Sequence, residues 1–225
     1  MAPAPTLSAA TQRDRGMATN SRGAEAYSRI RQLIVTLALE PNALIDEQRL
    51  AGSLGLGLTP VRQALRRLAW EGLVVILPRR GTLVADLNDA DLQKLFELRV
   101  ELAPLAADLA AVRASDPQRT GFRAIATRIR SLDADTPVQL IGVDAQMHAL
   151  VGTASQNEFL ELTLDWLYAH VRRLWASAPD RLGSLRDAIE DHAVIADAIA
   201  ERDQATARAR MRAHVEQFQS EYLKV

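Results

Sequence analysis

The chain has 225 residues, 48% hydrophobic and 24% charged, with 28 acidic against 27 lysine and arginine side chains and a formal charge of −1. That length holds one large domain or two smaller ones with proper cores, and no apolar run approaches the roughly 20 residues of a membrane span. Cysteine is absent, which excludes a disulfide framework and any thiolate metal site and fits a cytoplasmic location.

Residues 1–23 mix Ala, Pro, Thr, Ser and Arg without a continuous apolar stretch, so they are not a secretory signal and read as a flexible arm. Charge then divides unevenly. Residues 24–84 carry eight basic and five acidic side chains, whereas residues 85–225 carry sixteen basic and twenty-two acidic ones. A basic N-terminal third joined to an acidic remainder suggests two domains with different partners, at 24–86 and 87–225.

Helical spacing of Ile30, Ile34 and Leu37 predicts a helix over 24–39, broken by Pro41-Asn42. A short helix follows at 46–54, opened by Asp46, with Leu50 and Leu54 inward and Gly55 supplying the turn. The next helix runs from Thr59 to Trp70, with Pro60 in its first turn, where a missing N–H costs little. Leu65 and Leu68 are its buried positions, which leaves Thr59, Arg62, Gln63, Arg66 and Arg67 projecting. Two helices around a short glycine-containing turn form a helix-turn-helix, whose second helix enters a major groove. Past Gly72 the period changes. Leu73–Leu77 and Thr82–Val84 read as strands around Pro78-Arg79-Arg80-Gly81, a hairpin whose two tip arginines suit phosphate contact. In that order the elements make a winged helix.

From Asn88 onward the pattern is helical, with no strand period. Leu95, Leu98, Leu102, Leu105 and Leu109 form a stripe expected to face inward on a long first helix. Breakers divide the rest, giving six helices at 88–113, 117–132, 138–154, 157–177, 184–200 and 203–223, an all-α bundle. Three of the four histidines in the chain fall in a notable set with Asp144. Asp144 and His148 are one helical turn apart on one face. His192 and His214 each lie about 11 residues from the turn at Glu201–Asp203, or roughly 16 Å of helix, so an antiparallel pair folded there brings both imidazoles to one height. A carboxylate and three imidazoles suit a divalent transition metal. His170, beside Arg172 and Arg173, has no such partner set.

The N-terminal residues Leu50-Ala51, Leu54-Gly55, Thr59-Pro60-Val61-Arg62-Gln63-Ala64-Leu65-Arg66-Arg67-Leu68, Glu71-Gly72-Leu73-Val74 and Pro78-Arg79-Arg80-Gly81-Thr82-Leu83-Val84 resemble the DNA-binding domain of GntR-family bacterial transcription regulators. The resemblance covers about 60 residues and implies operator contacts from Arg62, Arg66 and the wing. Thr59, Gln63, Arg79 and Arg80 complete the candidate DNA surface. The family opens its recognition helix with Ser-Arg-Thr-Pro, whereas this chain has Gly57-Leu58-Thr59-Pro60, so Leu58 implies a different operator or weaker binding. Asn42 stands where a glycine often follows the proline, a tolerable change because Asn accepts positive φ.

The C-terminal residues Phe96-Glu97-Leu98-Arg99, Asp144 with His148, Ala154-Ser155-Gln156-Asn157, His192 with Ile195 and Ala198, Asp203, Ala207 and His214 resemble the FCD domain of the FadR branch of that family. Six helices rather than seven look more like the VanR-type subgroup, and Ala103 departs from a glutamate that many members carry. The resemblance implies that Asp144, His148, His192 and His214 hold a divalent ion: Zn, Ni, Mn or Fe. Arg99 is the candidate for an effector carboxylate, because its fork suits bidentate capture. Asn157 is a second effector candidate, with a helix N-cap as its plainer role.

The expected fold is therefore mainly α, a winged helix-turn-helix followed by a six-helix bundle. The expected function is a homodimeric, ligand-responsive regulator, not an enzyme: a repressor released from double-stranded operator DNA by a small carboxylate. Two alternatives stay open at this point. One is a metal-dependent enzyme in the helical domain, although no motif supplies a general acid or base beside the ion. The other is a regulator whose metal is purely structural.

Overall fold

The computed structural model describes residues 22–87, 89–132, 137–177 and 182–222, and the chain divides into two compact units meeting at Leu87 and Asn88. The expected N-terminal arm lies outside the described residues, save for Arg22 and Gly23, which open the first helix. Among the described residues no helix is long and apolar enough to cross a membrane.

The first unit begins with α1 (Arg22–Val35), which buries Ala26, Ile30 and Ile34. A short strand, β1 (Leu44–Ile45), precedes α2 (Glu47–Leu54). Asp46 caps α2 by accepting hydrogen bonds from the backbone N–H groups of Gln48 and Arg49, at 2.9 and 3.0 Å. Gly55 ends it at φ +65°, a left-handed turn that suits glycine. Next comes α3 (Leu58–Trp70), buried along Val61, Ala64, Leu65 and Leu68. Then β2 (Val74–Leu77) and β3 (Gly81–Val84) form the hairpin.

The sheet is antiparallel in the order β1-β3-β2, with Leu44 opposite Leu83 and Val75 opposite the same residue from the other side. At two residues β1 is too short to show a period, so the pattern missed it. Asn42 does adopt positive φ, at +65°, and its side chain donates to Asp86 at 2.9 Å.

The second unit holds six helices among its described residues: α4 (Asp89–Arg113), α5 (Asp116–Arg130), α6 (Pro137–Ala154), α7 (Glu158–Ser177), α8 (Leu182–Ala200) and α9 (Gln204–Tyr222). A Ser115–Gln118 capping box opens α5. Two α5 arginines close α8: Arg119 donates to the Ala200 carbonyl at 2.7 Å and Arg123 at 3.4 Å, satisfying an otherwise open helix end. Asp203 starts α9 by accepting from the Thr206 N–H at 3.0 Å.

One expectation about packing is corrected. The face that α4 buries is Leu92, Phe96, Arg99, Ala103, Ala106, Ala107 and Ala110, not the leucine stripe. Leu98 is 47% exposed, and Leu95, Leu102, Leu105 and Leu109 are only half-buried. Small alanines let α4 approach its neighbours closely, and the leucines are left to the helix's outer side.

Candidate DNA interface and candidate metal centre

In the winged helix, the inward apolar face of α3 fixes which side chains face out. Thr59, Arg62, Gln63 and Arg66 are exposed on it, as are Arg79 and Arg80 at the hairpin tip, where Arg79 has φ +63°. Leu58 is half-buried at the first position of α3, and Gly57 before it supplies no side-chain cap.

The α3 arginines are not equivalent. Arg67 is turned back against the body of the unit, its guanidinium carbon 3.7 Å from the centre of the Tyr27 ring and its Nε 3.2 Å from Glu71. Arg62 donates from Nε to Glu47 at 2.7 Å. Sequence reasoning did not include Glu47, because nothing local marks a contact between residues 15 positions apart.

In the bundle, the three histidines converge from three helices. His148 comes from α6, His192 from α8 and His214 from α9, each offering a ring nitrogen within 4.8 Å of the others. His192 Nε2 and His214 Nε2 are 3.2 Å apart. The turn at Glu201–Asp203 thus brings both imidazoles to one height. Asp144 lies beside the group, its Oδ1 3.6 Å from His148 Nε2 and 3.7 Å from His192 Nδ1. It flanks the three imidazoles rather than closing a compact four-residue cluster.

Burial sets the charge state of these groups. It holds all three imidazoles well below their usual range, His192 at about 3, helped in each case by the Arg99 charge. They are therefore neutral at ordinary pH, the state a metal requires. Burial pushes Asp144 up to about 7, against the lowering effect of Arg99 and Arg172.

Arg99 reaches the cluster from α4. It is 4% exposed, and burial lowers it to about 10, which leaves it a cation. Its Nη2 is 3.4 Å from His148 Nε2. A guanidinium only donates, so the histidine presents a lone pair at that nitrogen. Arg99 Nη1 is buried and has no hydrogen-bond partner among the described residues. Phe218 and Tyr168 flank the guanidinium, with ring centres 5.4 and 6.0 Å from its carbon. Tyr168, on α7, also packs on His148 at 4.4 Å, and its hydroxyl is likewise buried without a partner. A single tyrosine on an amphipathic helix looks like ordinary core, so no sequence signal marks it.

The donor set fits a cation. Bonds of ~2.0–2.1 Å to nitrogen separate two neighbouring ligand atoms by ~3.0–3.4 Å, which brackets the spacing between His192 and His214. Both of these rings also keep a buried Nδ1 without a hydrogen-bond partner among the described residues.

Asn157 sits at the start of α7, where its Oδ1 accepts from the Leu160 N–H at 3.2 Å and its own N–H donates to Ser155. Its side chain caps the helix, the plainer of its two expected roles. His170 is half-buried, edge-on to Trp166 at 5.4 Å.

Residues 22–84 match the gntR family of bacterial regulatory proteins, and residues 94–217 match the FCD domain. A Streptomyces ambofaciens HTH-type transcriptional regulator in an unstable DNA locus is 33% identical over 201 residues, covering 88% of this chain and 82% of that one. The Escherichia coli HTH-type transcriptional repressor GlaR is 24% identical over 200 residues, 85% of this chain and 91% of its own. Among solved structures, Escherichia coli McbR/YncC superposes with a TM-score of 0.77 over 90% of this chain and 97% of that one. At 19% identity that likeness speaks for the fold alone.

Proposed function

The chain belongs to the GntR family of bacterial regulatory proteins and carries an FCD domain, so it is a transcription regulator and not an enzyme; from that premise we propose that it is a homodimeric repressor, released from operator DNA by a small carboxylate bound beside a divalent metal. His148, His192 and His214 would hold the ion, with Asp144 as the fourth ligand. A bound divalent ion, whether Zn, Ni, Mn or Fe, supplies a Lewis-acidic point for effector oxygens.

The observation that carries the effector reading is Arg99. A buried guanidinium with Nη1 unsatisfied, next to neutral imidazoles that suit a cation, calls for an anion between the two positive centres. Such an anion relieves the repulsion between ion and guanidinium and completes the hydrogen bonds of Arg99.

The dimer reading rests on the outer face of α4, where Leu98 and Val112 are about half exposed, and on Phe159 and Leu162 of α7, which are exposed to a similar degree. Two-fold pairing would match two winged helices to a pseudo-palindromic operator, contacted by Thr59, Arg62, Gln63, Arg66, Arg79 and Arg80. The effector shifts the equilibrium only as far as its affinities for the DNA-bound and released arrangements differ. A repressor name among the relatives supports the sign of regulation, and DNA as the target supports a cytoplasmic location. The six helices of the second unit favour the VanR-type subgroup.

The test is a thermal-shift screen of small carboxylates with and without added divalent ions, followed by DNA mobility shifts. A carboxylate that stabilises the protein only with metal present, and that releases DNA, is the expected hit. An effector response that survives metal removal makes the ion structural.

A further inference from the structure

Arginines on a recognition helix serve two different ends. A flexible arginine finds a phosphate, which has no sequence, whereas an arginine held in place presents its fork to a base edge. The α3 arginines divide along that line. Arg67 is folded onto Tyr27 and Glu71 and faces the body of the unit. Arg66 is exposed, with no ion pair among the described residues. Arg62 is 57% exposed, yet its Nε is held at 2.7 Å by Glu47, which is 28% exposed.

The geometry of that pair is specific. Glu47 is the first residue of α2 and Arg62 the fifth of α3, so the contact bridges the two helices of the helix-turn-helix near the end of α3 that enters a groove. By taking Nε, the carboxylate leaves both terminal nitrogens of the guanidinium free. Those two form the end-on fork that matches guanine O6 and N7. An acidic side chain facing DNA would repel phosphates, and pairing it with Arg62 offsets that repulsion.

We propose that Glu47 is a positioning residue that fixes Arg62 as a reader of one guanine in each half-site, and that Arg66 contacts phosphate. This rests on the DNA-binding reading above. It gives the chain a sequence-reading arginine on α3, the helix that Leu58 opens.

The experiment selects duplexes from a randomised library with the full chain, then measures affinity for the selected duplex and for its single-base-pair variants. Unaltered protein prefers one G·C pair in each half-site by about tenfold to a hundredfold, the discrimination of one bidentate arginine contact. Glu47→Ala reduces that preference to about threefold or less and binds unselected duplex as tightly as before or more tightly, since a negative charge has gone. Glu47→Gln, which keeps an acceptor for Nε, restores most of the preference. A Glu47→Ala protein that keeps the full preference, or that loses affinity equally on every variant, overturns the inference. A chain that enriches no sequence overturns the DNA-binding reading itself, and this inference with it.

Discussion

Acidification should weaken metal binding by a calculable amount. Among the proposed ligands, burial holds the imidazoles well below their usual range, His192 at about 3, so near neutral pH they release no proton when an ion arrives. Asp144 differs, because burial raises it to about 7. Below that pH it is mostly protonated and must lose one proton to face a cation. Apparent affinity then changes by at most a factor of ten, about 1.4 kcal/mol, per pH unit. Little is lost at pH 8, about tenfold at pH 6 and about a hundredfold at pH 5. Competition against a chelating dye gives the profile, and titration calorimetry in buffers of different ionisation enthalpy counts the proton. Asp144→Asn should bind more weakly at pH 8 and show a flat profile. A slope of two or more would mean that the imidazoles titrate in this window, and a flat profile in the parent protein would refute the role of Asp144.

The same carboxyl governs the metal-free protein in the opposite sense. Its folded value lies above the ordinary 3.8, so its contribution is intact below about pH 4 and is lost as pH rises through about 7. Asp144→Asn should raise the metal-free melting temperature at pH 8 by about 5 °C and leave it unchanged near pH 4; equal shifts at both pH values would count against burial as the cause. His192→Ala should abolish stoichiometric metal in elemental analysis, and retention of the ion removes His192 as a ligand. Arg99→Met should leave metal content intact while weakening a carboxylate effector by tenfold or more in calorimetry, and equal affinity takes Arg99 out of the pocket. Leu98→Asp should shift sedimentation from dimer to monomer, and an unchanged profile moves the interface elsewhere.

The winged helix was legible because its signals are local. Asp46 before α2, Gly55 after it and Pro60 early in α3 each act within one turn of where they stand. The histidine cluster was legible for a geometric reason: two helices of equal reach from one turn can only place His192 and His214 side by side. The orientation of α4 was not. Both of its sides are apolar, leucine on one and alanine on the other, and spacing alone cannot say which side a neighbour covers. Nor could Glu47 be found, since its meeting with Arg62 depends on how two helices cross. Tyr168 and the buried Arg173 gave no sign either, because each reads as an ordinary position on an amphipathic helix until its surroundings are known.

The alanines of α4 have a mechanical consequence. Ala103, Ala106, Ala107 and Ala110 are almost wholly enclosed, and they carry no rotatable side-chain atoms that could shift to absorb a displacement. Arg99 stands on that same enclosed side, one turn before Ala103, whereas Leu98 beside it in the chain faces outward. A shift of the α4 backbone at Arg99 is therefore carried directly to Leu98, while Pro104 inside the helix removes one backbone hydrogen bond and loosens the coupling to Val112.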